Sequence, residues 1–119
     1  MKLDLHCHSH YSDGKHPASF LIERALENGV THLAITDHDC TNVHEKLDGS
    51  QQLSIIKGVE TSCTWQNREL HIVCLRIDTR DSQLDNMLAR PPVSFHPLRA
   101  LQTTSFLVCR LLLVLHTIC

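Results

Sequence analysis

Three histidines at alternate positions and a closing aspartate occupy LDLHCHSHYSD, residues 3–13. Imidazoles at i and i+2 of an extended segment leave the same face, so His6 and His8 can reach a single ion. Asp13 lies five residues beyond His8, where the chain can loop back beside both. Further along, His38 sits in TDHD (36–39), Glu60 in GVETS (58–62) and His71 in ELHIVCL (69–75). A carboxylate such as Glu60 can bridge two ions, and His71 adds a further nitrogen. Imidazole mixed with carboxylate is a borderline-hard donor set that suits zinc, manganese or iron rather than a soft, all-thiolate site. Two or more ions so held would activate water and clamp a phosphoryl oxygen.

Each of these residues also has a plainer role open to it. His6 and His8 can be a solvated strand face, Asp13 with Gly14 a turn pair, and Glu60 with His71 a cross-strand pair. Asp37 and Asp39 flank His38 and can cap the next helix or accept hydrogen bonds that orient liganding imidazoles. His10 shares the alternating face but is expected as a bystander at the surface. His16, His32, His44, His96 and His116 carry no motif and are expected as ordinary surface residues. Lys57 and Arg68 could meet a phosphate, with a solvated face as their default.

Segments this far apart need a scaffold to bring them together. Residues 2–9 alternate, with Leu3, Leu5 and Cys7 on one face and Asp4, His6 and His8 on the other, which predicts a strand. SDGKHP then turns the chain, and Pro17 suits the first turn of a helix over 18–28, with Phe20, Leu21, Ala25 and Leu26 at helical spacing and Gly29 as its stop. THLAIT (31–36) reads as a second strand, TNVHEKLDGSQQ (41–52) as a weak polar helix and LSIIKGVETSC (53–63) as a third strand. TWQNRE (64–69) reads as a hairpin turn and ELHIVCLRID (69–78) as a fourth strand, followed by a helix from near Asp81 through Leu84, Met87 and Leu88. Strands alternating with helices imply an α/β fold with βαβ units and a largely parallel sheet. In such folds ligands collect beyond the carboxyl ends of the strands, where His6, His8, Asp37, His38 and Glu60 fall.

Composition narrows the function classes. The 119 residues suit one domain of ordinary size, and a net charge of −2 argues against a basic surface for nucleic acid, so no stable binding of duplex DNA is expected. Ten histidines are the excess in the chain. The six cysteines include no CxxC pair, and MKLDLHCHSH lacks the apolar run of a signal peptide, so reduced thiols in a cytoplasmic protein are expected. Cys7 and Cys74 fit the role of small buried hydrophobes. The apolar stretch 103–119 is interrupted by Arg110 and falls short of the roughly 20 residues a spanning helix needs, so no membrane association is expected.

DLHCHSHYSDG (4–14), LAITDHD (33–39), GVETS (58–62) and ELHIVCL (69–75) together resemble the PHP family, named for polymerase and histidinol phosphatase. TDHDCT and the W-x-N-x-E-x-H-I-V stretch at 65–73 are most similar to the bacterial branch of 3′,5′-nucleoside bisphosphate phosphatases, some of which trim short RNAs from the 5′ end. The resemblance covers roughly residues 2–90 and implies the N-terminal portion of a distorted (β/α)7 barrel, incomplete here. It implies a metal-dependent hydrolase acting on a nucleoside 3′,5′-bisphosphate or short RNA. The expected cofactor is two or three divalent ions, manganese first, with zinc or iron as alternatives.

By position, the resemblance assigns His6, His8 and Glu60 to one ion, Glu60 and His71 to a second, and Asp13 and His38 to a third. A metal-bound hydroxide is the implied attacking group, and no side chain is assigned as catalytic. The family's later AHP-like and D-x-H motifs have no counterpart here, since FHP at 95–97 comes too early. Residues 91–119 contain no acidic residue and three of the four prolines, unlike residues 1–90. The expectation is therefore a PHP portion at 1–90 and an atypical tail at 91–119 from truncation or a frame shift. An inactive metal-binding remnant is the alternative function.

Overall fold

The computed structural model of the chain describes residues 1–47 and 51–89. Four strands run β1 (Leu3–Cys7), β2 (His32–Ile35), β3 (Ser54–Trp65) and β4 (Arg68–Leu75). Helix α1 (Ala18–Glu27) joins β1 to β2, a short 3-10 turn (Asn42–Glu45) precedes β3, and α2 (Ser82–Leu88) follows β4. The sheet order is β1-β2-β3-β4, with the first three strands parallel and β4 antiparallel to β3. This is the α/β arrangement expected from the sequence, a mixed four-stranded half-barrel sheet. The expected boundary near Arg90, the tail at 91–119 and FHP at 95–97 lie outside the described residues.

β2 is buried on both faces, with Leu33, Ala34 and Ile35 at 1% exposure or less, as a parallel strand covered on each side should be. Helix α1 packs Ala25 beside Leu33 and Ile35, with Leu21, Ile22 and Leu26 partly buried against them. Phe20, placed at core spacing by the sequence, instead stays exposed and stacks on His16 with ring centroids 4.1 Å apart. The helix ends as its glycine requires. Gly29 takes a φ of 70°, its N–H donates to Leu26 O, and Val30 N–H donates to Ala25 O. That pair of bonds closes a Schellman turn, and Ala25 and Val30 share the core beneath it. A second core joins Val59, Cys63, Ile72, Cys74, Ile77 and Leu84, tying the hairpin to α2. Asp81 caps α2 by accepting from Gln83 N–H at 2.8 Å.

Three local expectations are corrected. The hairpin turn is only Gln66-Asn67, both at positive φ, because β3 and β4 extend to Trp65 and Arg68 in the tight two-residue connection that matches strand twist. The stretch 41–52 forms a short 3-10 turn at its start rather than a helix, with 48–50 outside the described residues. His44 is not a surface residue. It is 5% exposed, and its Nε2 donates to Gly58 O at 2.6 Å. The opening at Gly58 explains this. A Cβ there would meet Thr36 Cγ2 at 2.8 Å and Cys74 O at 3.0 Å, so only glycine fits and its backbone lies open to the ring.

Candidate metal centre

The site forms at the carboxyl ends of the three parallel strands. The β1–β2 register slips between Asp4 and Cys7, so the last part of β1 departs from strict alternation. Such a bulge re-aims side chains at a strand end. Here the His6 and His8 Nε2 atoms still converge to 3.1 Å. β2 hands the chain to Asp37-His38-Asp39, which is stitched to β3 by Glu60 N–H donating to Asp37 O and Asp39 N–H donating to Glu60 O. Thr36 N–H donates to Cys7 O at 2.8 Å, fastening the same segment to β1. β4 brings His71 across from Ser62 in the antiparallel register.

Glu60 is the base of the cluster, its side chain 8% exposed, and Asp13 is at the rim with 67%. One Glu60 oxygen, Oε2, lies 2.8 Å from His6 Nε2, 2.7 Å from His8 Nε2 and 3.9 Å from His38 Nδ1. The other, Oε1, lies 3.7 Å from His71 Nδ1. His8 donates through Nδ1 to Asp13 Oδ1 at 2.6 Å, and His38 Nε2 stands 3.4 Å from Asp13 Oδ2. His38 and His71 meet Nδ1 to Nδ1 at 3.3 Å. Three overlapping donor sets result: His6, His8 and Glu60; His8, Asp13 and His38; His38, Glu60 and His71. The six residues selected from the sequence as ligands are thus brought to one place.

The donor geometry fits a cation. His8 bonds Asp13 through Nδ1, which leaves its Nε2 turned to the Glu60 carboxylate and the His6 ring. Donor atoms 2.7–3.1 Å apart subtend angles of about 80–95° around an ion whose bonds are about 2.1 Å long. The electrostatics agree. Burial works to raise the Glu60 carboxyl, yet the His6 hydrogen bond and the nearby His6, His38 and His8 rings hold it below the ordinary carboxylate value. The His8 hydrogen bond likewise holds Asp13 low.

Asp37 and Asp39 bond elsewhere than to imidazoles or a helix end. Asp37 is fully buried and accepts from Ser9 N–H at 2.7 Å, Ser9 Oγ at 2.6 Å and Ser12 Oγ at 2.7 Å. Asp39, at a φ of 49°, accepts from Ser62 N–H at 2.8 Å. His10 and His16 are exposed, as expected, and so are Lys57 and Arg68, with Lys57 Nζ 3.4 Å from Thr79 Oγ1. The sequence reading missed Ser9, Ser12 and Glu69. Glu69 sets its carboxylate 3.3 Å from His71 Nε2, and its i−2 position on the same strand face was the available signal. Cys7 bonds its thiol to Ala34 O at 3.4 Å, and burial, with Asp4 and Asp37 nearby, pushes that thiol up to about 12.

Comparison with known proteins follows the same residues. The family model of the PHP domain matches residues 4–95. The chain is 42% identical over 92 residues to the 5′-3′ exoribonuclease Rnm of Salmonella typhimurium, covering 73% of this chain and 31% of that protein. It is 39% identical over 85 residues to the 3′,5′-nucleoside bisphosphate phosphatase of Chromobacterium violaceum, covering 69% and 30%. A solved Chromobacterium violaceum amidohydrolase with bound sulfate and no metal superposes with a TM-score of 0.69 at 35% identity, over 74% of this chain and 32% of that one. The chain spans about a third of the length of these proteins. Among the described residues, no helix is long and apolar enough to cross a membrane.

Proposed function

Since the chain belongs to the PHP domain family, we propose that its histidine and carboxylate cluster is the ion-holding side of a phosphoesterase active site. The observation that carries this reading is the sharing of donors. His8, His38 and Glu60 each belong to two of the three sets, so ions held there would sit close together. Bound ions would supply an activated water and would neutralise charge on the phosphoryl oxygens as the ester bond breaks.

The chain's own residues have definable parts. His6, His8 and Glu60 would hold one ion, Glu60 with His71 a second, and Asp13 with His38 a third. Glu60, at the base, places negative charge where the ions need it, and the open rim beside Asp13 leaves the ester room to enter. Manganese is the ion proposed first, and zinc or iron satisfy the same donors. The substrate class is a nucleoside 3′,5′-bisphosphate or a short RNA taken from its 5′ end, supported by the names of the two curated relatives. The proposed compartment is the cytoplasm, and the proposed division of the chain is a PHP portion at 1–90 and an atypical tail at 91–119.

A second reading is ion binding without turnover, for which the three donor sets suffice by themselves. One experiment separates the two. The purified chain is assayed for bound metal and for manganese-dependent phosphate release from a 3′,5′-bisphosphonucleotide. Bound ions with phosphate release support the phosphoesterase; bound ions without release support the second reading. Absence of bound ions at saturating manganese refutes both.

A further inference from the structure

Between the ion donors lies a buried carboxyl that holds none of them directly. The loop after β1 folds around Ser9, whose carbonyl accepts from Ser12 N–H at 3.1 Å and from Gly14 N–H at 3.0 Å. A side chain at Gly14 would overlap the His8 and Ser9 carbonyls, so the loop can close this tightly only with glycine there. Ser9 and Ser12 then both turn their hydroxyls to Asp37, and Ser9 adds its backbone N–H. Asp37 has no solvent exposure, and Ser9 has none either. Each of the fastened residues is the immediate neighbour of a donor: Ser9 follows His8, Ser12 precedes Asp13, and Asp37 precedes His38. Asp37 O also accepts from Glu60 N–H at 3.1 Å.

We propose that Asp37 is a positioning residue that fixes the loop 8–13 against His38, so that Asp13 and His38 share one ion. The inference rests on the reading of the cluster as an ion site. Asp13 needs this help more than its partners. Its side chain is 67% exposed at the rim, and without the Ser12–Asp37 bond it would lose conformational definition that the buried Glu60 keeps. His8 of the His6, His8 and Glu60 set is followed by Ser9, whose two bonds to Asp37 do not involve Ser12, so that set should be indifferent to Ser12.

Manganese titration of the full chain, followed by calorimetry and by the electron paramagnetic resonance of free ion, tests the proposal. Ser12→Ala removes the 2.7 Å bond to Asp37, and with it the longer 3.4 Å contact to Asp13 Oδ1, and keeps both bonds from Ser9, so the fold is retained. It should weaken the ion that Asp13→Asn abolishes by about tenfold or more and leave the other ions unchanged. Ser12→Thr, which keeps the hydroxyl, should bind as the unaltered chain does. Asp37→Asn should weaken the same ion further, and in the metal-free protein its Ser9 amide should exchange with solvent faster. Unchanged affinity in Ser12→Ala overturns the proposal. Equal weakening of every ion also overturns it, because that is the mark of a merely structural bond. If the unaltered chain binds no manganese, the ion-site reading fails first and this inference falls with it.

Discussion

Replacing His44 by alanine should destabilise the chain by about 3–4 kcal/mol, and the reasons are separable. The ring is 5% exposed, wedged beside the buried Val43 and against the backbone of Gly58. Its removal strands the Gly58 carbonyl, and an orphaned buried acceptor costs about 1–3 kcal/mol. The vacated ring leaves a cavity, and truncating larger buried aromatics to alanine costs about 3–5 kcal/mol. The two contributions overlap, so the smaller ring brings the total near the lower end. Urea denaturation of the two proteins measures it directly. His44→Gln can carry an amide donor toward Gly58 O and should recover part of the loss. A loss below about 1 kcal/mol for His44→Ala would refute the assignment of His44 as a wedge, because surface substitutions stay within about 0.5 kcal/mol.

The same residue gives a pH dependence with a definite sign. Burial holds His44 below its ordinary value of 6.5, against the raising effect of the Gly58 hydrogen bond. Its Nδ1 is buried with no hydrogen-bond partner among the described residues. The unfolded chain therefore takes up this proton at a higher pH than the folded one. The stability that neutral His44 supplies is complete above pH 6.5 and declines as pH falls through its lower, folded value. One such group contributes a slope of at most about 1.4 kcal/mol per pH unit. Subtracting the His44→Gln profile from that of the unaltered chain isolates this part. Parallel profiles across that window would refute the assignment.

Glu60→Gln removes the donor common to two of the three sets, so manganese titration should lose two ions and keep the one assigned to Asp13 and His38. Gly58→Ala drives a methyl to within 2.8 Å of Thr36 Cγ2 and 3.0 Å of Cys74 O, and overpacking of this kind should cost about 1–3 kcal/mol in urea denaturation. Cys7, with its thiol pushed up to about 12, should alkylate far more slowly at pH 8 in the folded chain than after unfolding, which peptide mass spectrometry can follow.

The strand and helix order was legible because each element carries its own period or stop. Period two marks β1, Gly29 ends α1, and Asp81 begins α2. The six ligand candidates were legible through four short motifs whose order resembles the PHP family; the residues alone left His6 with His8 open to a solvated strand face and Glu60 with His71 to a cross-strand pair. What could not be read is what depends on contacts across the fold. His44 offered no periodicity, since its environment is made by a glycine 14 residues later. Phe20 held helical spacing yet found its neighbour in His16 rather than the core. Asp37 was noticed for its place beside His38, but its partners are hydroxyls 28 and 25 residues away, on a loop whose shape only Gly14 permits.

The distribution of rigidity bears on how the centre could work. The donors fall on three strand ends and one hairpin, and the backbone bonds from Thr36 to Cys7, Glu60 to Asp37 and Asp39 to Glu60 lock those ends in register. Glu60 is held by the sheet itself, so its carboxylate is placed before any ion arrives. Asp13 is not on a strand; it bonds His8 directly, and the serines of its loop are bound to a buried carboxyl. A preorganised site loses little entropy when the ion binds, and a loop-borne donor loses more. Ions held by the three donor sets should therefore differ in affinity, with the one that depends on Asp13 the weakest. Asp13 stands at the open rim, and an ion held there would exchange with solution more readily than one held at the base.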